Sequence, residues 1–179
     1  LDPWRNDVFA PTTSPLTARL IDILAMWMCF WTWVIDVSNA FLHVPETEEV
    51  YCDPPPEWKE RYADGHLYVW RMLKVLYGRR KAAENWVTFI ARILVEELYF
   101  DQCELVPTYF FHRTHFVYIE LHMDDFHVAA SEERYDSVYR RLTEFVETKS
   151  EGPFRPGDTY MFLKRERRVM EEGVLIKAA

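Results

Sequence analysis

The chain has 179 residues, of which 49% are hydrophobic, 16% aromatic and 28% charged, a balance that fits one globular domain with a sizeable core and excludes disordered, collagen-like or mucin-like chains. Its formal net charge of −8 counts against a module that grips nucleic acid through a broad basic surface, yet leaves room for an enzyme that works on nucleic acid with carboxylates. Cys29, Cys52 and Cys103 are odd in number and far apart, which argues against a disulfide framework or a CxxC zinc site and for a reducing compartment.

Pro3, Pro11 and the polar stretch Thr12, Thr13, Ser14 predict an irregular opening. Ser14 as N-cap, Pro15 at the first helical position and the spacing of Leu16, Leu20, Ile21, Leu24 and Met28 then predict a helix over 15–29. Phe30 to Val37, rich in aromatic and β-branched residues, reads as a buried strand with Asp36 at its end. The uncharged run from Ile23 to Ile35 is shorter than the roughly 18 residues of a membrane span and reads as buried core. Pro45, Pro54, Pro55, Pro56 and Gly65 mark 45–66 as a surface excursion with a short strand near Val50 to Cys52.

Leu67 to Leu73 has a strand-like pattern, and after Gly78 the residues Ala82, Trp86, Phe89, Ile90, Ile93, Leu94 and Leu98 mark a long amphipathic helix. Tyr109 to His112, Phe116 to Leu121 and Phe126 to Ala130 follow as short strands, the last two meeting at a hairpin tip of Met123, Asp124 and Asp125. Ser131 caps a helix predicted over 132–148, whose inner face is Tyr135, Val138, Tyr139, Leu142, Phe145 and Val146. Thr159 to Leu163 and Val174 to Ile176 complete the predicted strands. The pattern predicts a single α+β domain over 1–179, with helices packed on one face of a mainly antiparallel sheet. No basic segment followed by an apolar stretch and a cleavage site opens the chain, so the expected location is intracellular, in cytoplasm or nucleus, without a membrane partner. Leu1 in place of Met suggests a fragment or a processed chain.

Two adjacent carboxylates at one turn, Asp124 and Asp125, repel each other, and a bound cation offsets that cost; an exposed Asp-Asp turn is the plain alternative. Asp36 is a second acidic strand end. If its strand lies beside the hairpin, three carboxylates converge and suffice for two Mg2+ ions about 4 Å apart, the arrangement of phosphoryl-transfer enzymes, with Mn2+ as the alternative ion. Sequence separation alone leaves that convergence open.

The strings VIDVSNAFLHVPETEEVYCDPPPEW (34–58), RMLKVLYGRRKAAENW (71–86) and YIELHMDDFHVAAS (118–131) resemble the reverse transcriptase of copia-type retrotransposons. The likeness runs in order from DVFAPTTSPLTARL (7–20) to FLKRE (162–166). It implies a polymerase palm with part of the fingers, the thumb and ribonuclease H regions lying outside 1–179, and an RNA-directed DNA polymerase that extends a primer on an RNA or DNA template with deoxynucleoside triphosphates beside other polyprotein domains. Asp36, Asp124 and Asp125 match the catalytic, metal-holding aspartates. Phe41 matches the ring that excludes a 2′-hydroxyl; apart from the resemblance, core packing is the favoured reading of a Phe there.

Gly78 and Lys81 match the nucleotide-binding block. Lys81, Ala82 and Ala83 depart from the usual Gln, small residue and Pro, while Arg79 and Arg80 read as a solvated helix start. His122 replaces the usual Tyr of YxDD and is read first as structural, with primer contact and metal ligation as the alternatives. Lys149 resembles a lysine that protonates the departing pyrophosphate, although a Lys at a helix C-terminus is also favoured by the helix dipole. Lys164 and Arg165 match the primer grip. A non-catalytic remnant and a phosphohydrolase built on Asp124, Asp125 and His127 are the competing readings. His112, His115 and His127 are scattered over two strand faces, against a His-based metal site.

Overall fold

The computed structural model describes residues 17–62 and 64–178, so the predicted irregular opening, the Ser14 cap and Pro15 lie outside the described residues. A 3-10 turn, Thr17–Arg19, runs into helix α1, Leu20–Trp27, which is shorter than the predicted 15–29. The cause is local: Cys29 adopts a left-handed φ of 54°, and Phe30 N–H bonds the Ala25 carbonyl while Cys29 N–H bonds that of Met26. This pair of bonds closes the helix end with Cys where Gly is usual. Strand β1, Trp31–Val37, follows, then the short helix α2, Ala40–His43, and the two-stranded pair β2, Tyr51–Cys52, and β3, Trp70–Arg71. The expected strand over Leu67 to Leu73 is thus reduced to Trp70–Arg71; its side chains are largely exposed, and beyond β2 its backbone makes only isolated contacts, such as the Arg61–Leu67 bridge and the bond from Tyr68 N–H to the Glu60 carbonyl.

Helix α3, Ala82–Arg92, continues as a π-helical turn, Ile93–Glu97. The short strand β4, Asp101–Gln102, precedes β5, Tyr109–His112, β6, Val117–His122, and β7, Asp125–Ala130. Helix α4 covers only Glu132–Leu142, and Ser131 has extended backbone but makes no side-chain cap bond. Residues 143–147, expected to continue that helix, instead close it in turns, with Phe145 and Val146 N–H both bonded to the Leu142 carbonyl, and strand β8, Thr148–Phe154, follows and pairs antiparallel with β1. Strand β1 would otherwise leave its outer backbone groups unpaired, and β8 satisfies them. Strands β9, Thr159–Phe162, β10, Arg165–Met170, and β11, Gly173–Ala178, form a separate meander. Strand β10 was not expected.

The six-stranded antiparallel sheet has the order β4-β5-β6-β7-β1-β8. Alternation divides its side chains. Trp33, Ile35 and Val37 of β1, with Val117, Ile119 and Leu121 of β6 and Phe126, Val128 and Ala130 of β7, enter one core with Trp86, Ile90 and Leu94 of the α3 segment and Tyr135, Val138 and Leu142 of α4. Ile21 and Ala25 of α1 instead join Tyr109 and Ala129 in a second cluster. Ala129 alternates with Val128 and Ala130, so α1 occupies the opposite sheet face, correcting the expectation of helices on one face only. The run Ile23 to Ile35 is likewise not uniformly buried: Ile23 is 56% and Trp27 79% exposed. Among the described residues no helix is long and apolar enough to cross a membrane.

Candidate active site

A polar row crosses one end of the α1-side sheet face. Asp125 opens β7 and pairs across to His122 of β6 on one side and to Asp36 of β1 on the other. Asp36 in turn pairs with Lys149 of β8. His122, Asp125, Asp36 and Lys149 therefore occupy matching positions on four neighbouring strands, each residue about 5 Å from the next at its Cβ. Asp124 sits beside this row, in the turn with Met123 that joins β6 to β7. The Asp124 carbonyl accepts a 2.9 Å bond from Val37 N–H, which stitches the turn to the end of β1. Convergence of the two acidic segments is thus set by sheet order, a property that spacing along the chain does not contain.

The electrostatics match this crowding. Burial pushes the Asp125 carboxyl up to about 6, and the charges of Asp124 and Asp36 add to the effect. Burial lowers the His122 imidazole, with Asp124 pulling the other way. Asp36 and Lys149 are exposed, whereas Asp124, Asp125 and His122 are half-buried. Hard carboxylate oxygens in mutual repulsion are donors of the type divalent cations take. Among the described residues, no three His, Cys, Asp or Glu side chains are gathered closely enough to cage an ion.

The other expected residues fall into two groups. Phe41, in α2, is half-buried against the α3-side core and lies 4.5 Å, centroid to centroid, from the Tyr77 ring. Gly78 has φ of +88° with open space where a Cβ would stand. Lys81 immediately precedes α3, and its Nζ is 3.1 Å from Glu48 Oε1. Arg79 is not a solvated arginine: its side chain is 25% exposed and bridges Glu46, at 3.0 Å, and Glu48, at 3.1 Å. These cations hold the Glu48 carboxyl below the usual carboxylate range, Lys81 having the largest effect. The PETEE string contained the partner acids, but nothing in it indicated which cations they would meet.

Lys149 lies in β8, not after a helix, so the dipole explanation for it is withdrawn. Leu163 and Lys164, both left-handed with φ of 52° and 56°, form the tight turn between β9 and β10, and Arg165 opens β10. Lys164 and Arg165 are exposed. His127 is fully buried, and its Nε2 lies 2.9 Å from the Tyr160 hydroxyl, which donates to Asp22 at 3.1 Å. Arg167, also buried, donates to the same Asp22 carboxylate and, at 3.1 Å, to the Ala18 carbonyl. His127 is thus engaged within the fold and removed from the phosphohydrolase reading.

The antiparallel sheet thus sets an acidic hairpin beside an acidic strand end. The chain matches the model of the reverse transcriptase (RNA-dependent DNA polymerase) family over residues 3–149 and belongs to that family. It is 28% identical over 122 residues to the retrovirus-related Pol polyprotein from transposon TNT 1-94 of Nicotiana tabacum, covering 67% of this chain and 9% of that protein. It is 31% identical over 80 residues to the corresponding polyprotein from transposon RE2 of Arabidopsis thaliana, covering 45% of this chain and 5% of that one. These relatives support the copia-type assignment, and the chain spans less than a tenth of their length. Among solved structures, a chain of Candida albicans telomerase in complex with a fragment of telomeric RNA matches 94% of this chain and 34% of its own length, with a TM-score of 0.52 and 10% identity. That likeness bears on the fold.

Proposed function

We propose that this domain carries the palm and part of the fingers of an RNA-directed DNA polymerase, adding deoxynucleotides to a primer on an RNA or DNA template as one part of a longer polyprotein. The observation that carries the reading is the row His122, Asp125, Asp36, Lys149, with Asp124 at its side. Asp36, Asp124 and Asp125 would hold Mg2+ or Mn2+, which when bound supplies activation of the primer hydroxyl and neutralises charge on the transferring phosphate.

The remaining work belongs to side chains. The primer 3′-oxygen, its hydroxyl proton passing to solvent water, bonds to the α-phosphorus of the triphosphate as the bond to the pyrophosphate oxygen breaks. Lys149, supported by its register opposite Asp36, gives a proton from Nζ to that leaving oxygen. Phe41 bars a 2′-hydroxyl, and Gly78 with Lys81 receives the nucleotide. Because Glu48 already engages Lys81, an incoming triphosphate exchanges one set of anionic oxygens for another. His122, Lys164 and Arg165 contact the primer backbone, an interaction that fixes position without reading sequence.

The test is single-nucleotide primer extension with Mn2+ at low ionic strength. Slow, template-matched incorporation that fades with salt is expected, since an acidic chain has few cations for phosphate contacts. Asp36→Asn should reduce it by at least about a hundredfold. Extension unchanged in Asp36→Asn, or no extension despite bound Mn2+, would remove the polymerase reading, the latter in favour of the remnant.

A further inference from the structure

The Asp124–Asp125 hairpin turns through Met123, whose φ is 55°. This left-handed conformation is unfavourable for a residue with a side chain, and the tight β-turn that uses it usually places Gly there. Such a conformation persists where surrounding contacts over-determine it. Two hydrogen bonds do so here. On one side Val37 N–H binds the Asp124 carbonyl at 2.9 Å. On the other, Trp86 Nε1–H donates to the Met123 carbonyl at 2.7 Å.

Trp86 is suited to this task by its surroundings. Its side chain is fully buried one turn into α3, which Ile90 and Leu94, also fully buried, anchor against the sheet. The indole is thus a rigid donor on a fixed helix, and Met123 lies 37 residues away along the chain. The peptide it grips is the one linking Met123 to Asp124. Rotation of that peptide would swing the Asp124 carboxyl relative to Asp36 and Asp125.

We propose that Trp86 is the positioning residue of the acidic hairpin: its indole N–H fixes the Met123–Asp124 peptide so that Asp124 faces the Asp36–Asp125 pair. This rests on the reading of those three carboxylates as a cation site and adds the element that aims them. Trp86 is fully buried and acts through the hairpin backbone.

The test compares the 179-residue chain with Trp86→Phe, which keeps an aromatic ring and removes the donor, and with Trp33→Phe, an equivalent change in the same core. Two quantities are read: amide hydrogen exchange at Val37, and Mn2+ affinity by electron paramagnetic resonance. Trp86→Phe should speed Val37 exchange at least about tenfold and weaken Mn2+ binding about threefold to tenfold, the range expected for one lost hydrogen bond. Trp33→Phe should lower the melting temperature while leaving Mn2+ affinity unchanged. Equal Mn2+ affinity and equal Val37 exchange in Trp86→Phe would overturn the proposal, as would Mn2+ binding weakened equally by both variants.

If the wild-type chain binds no Mn2+, the cation-site reading fails and Val37 exchange alone decides whether Trp86 holds the turn. Should Trp86→Phe not fold, exchange in the wild type decides: the Trp86 indole proton and the Val37 amide must become accessible in one shared opening event. An indole proton that exchanges freely while Val37 stays protected contradicts the clamp.

Discussion

Asp125 is the residue on which charge and fold conflict most directly. Its carboxyl is raised from 3.8 to about 6 by burial, assisted by Asp124 and Asp36. The folded state therefore holds the proton more tightly than the unfolded chain. The corresponding stability is fully present below about pH 4 and is lost as pH rises through about 6. Without added metal, Asp125→Asn should match the wild-type melting temperature near pH 4 and exceed it near pH 7. Allowing for solvent screening of a half-exposed group, the gain is about 1 kcal/mol, roughly 3 °C at this size. Equal melting temperatures at pH 7 would contradict the burial of Asp125 beside Asp124 and Asp36. Phe41 is tested by Phe41→Val: ribonucleotide incorporation should rise relative to deoxynucleotide incorporation, measured as a ratio of kcat/KM values, and an unchanged ratio would leave Phe41 with core packing alone.

At the scale of elements, the parts legible in the sequence were those whose pattern matched their final environment. Strands β1, β6 and β7 were readable because their alternating side chains fill the cores that alternation implies. Helix α3 was readable because Trp86, Ile90 and Leu94 recur on one buried face. Strand β8 was not readable: Thr148 to Phe154 has a polar, Gly-Pro-containing sequence, and its reason for being a strand is the unpaired edge of β1. Gly152 is needed there, since a Cβ would meet the Thr32 carbonyl and the Trp33 ring at 2.8 Å. Consequently Asp36, Asp124 and Asp125 could be named as candidates from sequence, but not Lys149's place opposite Asp36, nor the grip of Trp86.

Strand β10 carries a similar lesson, because a charged string hides a buried guanidinium. Arg167 and Asp22 tie the β9–β11 meander to α1, with Tyr160 and His127 completing the network. Burial raises the Asp22 carboxyl while Arg167 opposes that shift. Burial, with a contribution from Arg167, lowers His127 well below the usual imidazole range. Asp22→Leu should strand the Arg167 charge at a cost of about 3–5 kcal/mol, seen as a fall in Tm of roughly 6–20 °C. The double variant Asp22→Leu/Arg167→Met should recover more than half of that fall. A double variant no more stable than the single one would show that packing, not the ion pair, joins these elements.

The whole molecule separates its chemistry from its packing. The α3-side face of the sheet is filled by apolar residues, while the α1-side face runs from the buried Asp22 network to the acidic row at one end. A net charge of −8 suits cation binding and opposes strong hold on a primer-template. The central claim is that Asp36, Asp124 and Asp125 form one cation site, and diffraction from crystals soaked in Mn2+ tests it most directly. The account predicts anomalous density bounded by these three carboxylates, with a second peak about 4 Å from the first when a deoxynucleoside triphosphate is present. Mn2+ bound elsewhere, with Asp36 and Asp124 turned away from each other and contacting no ion, would contradict it.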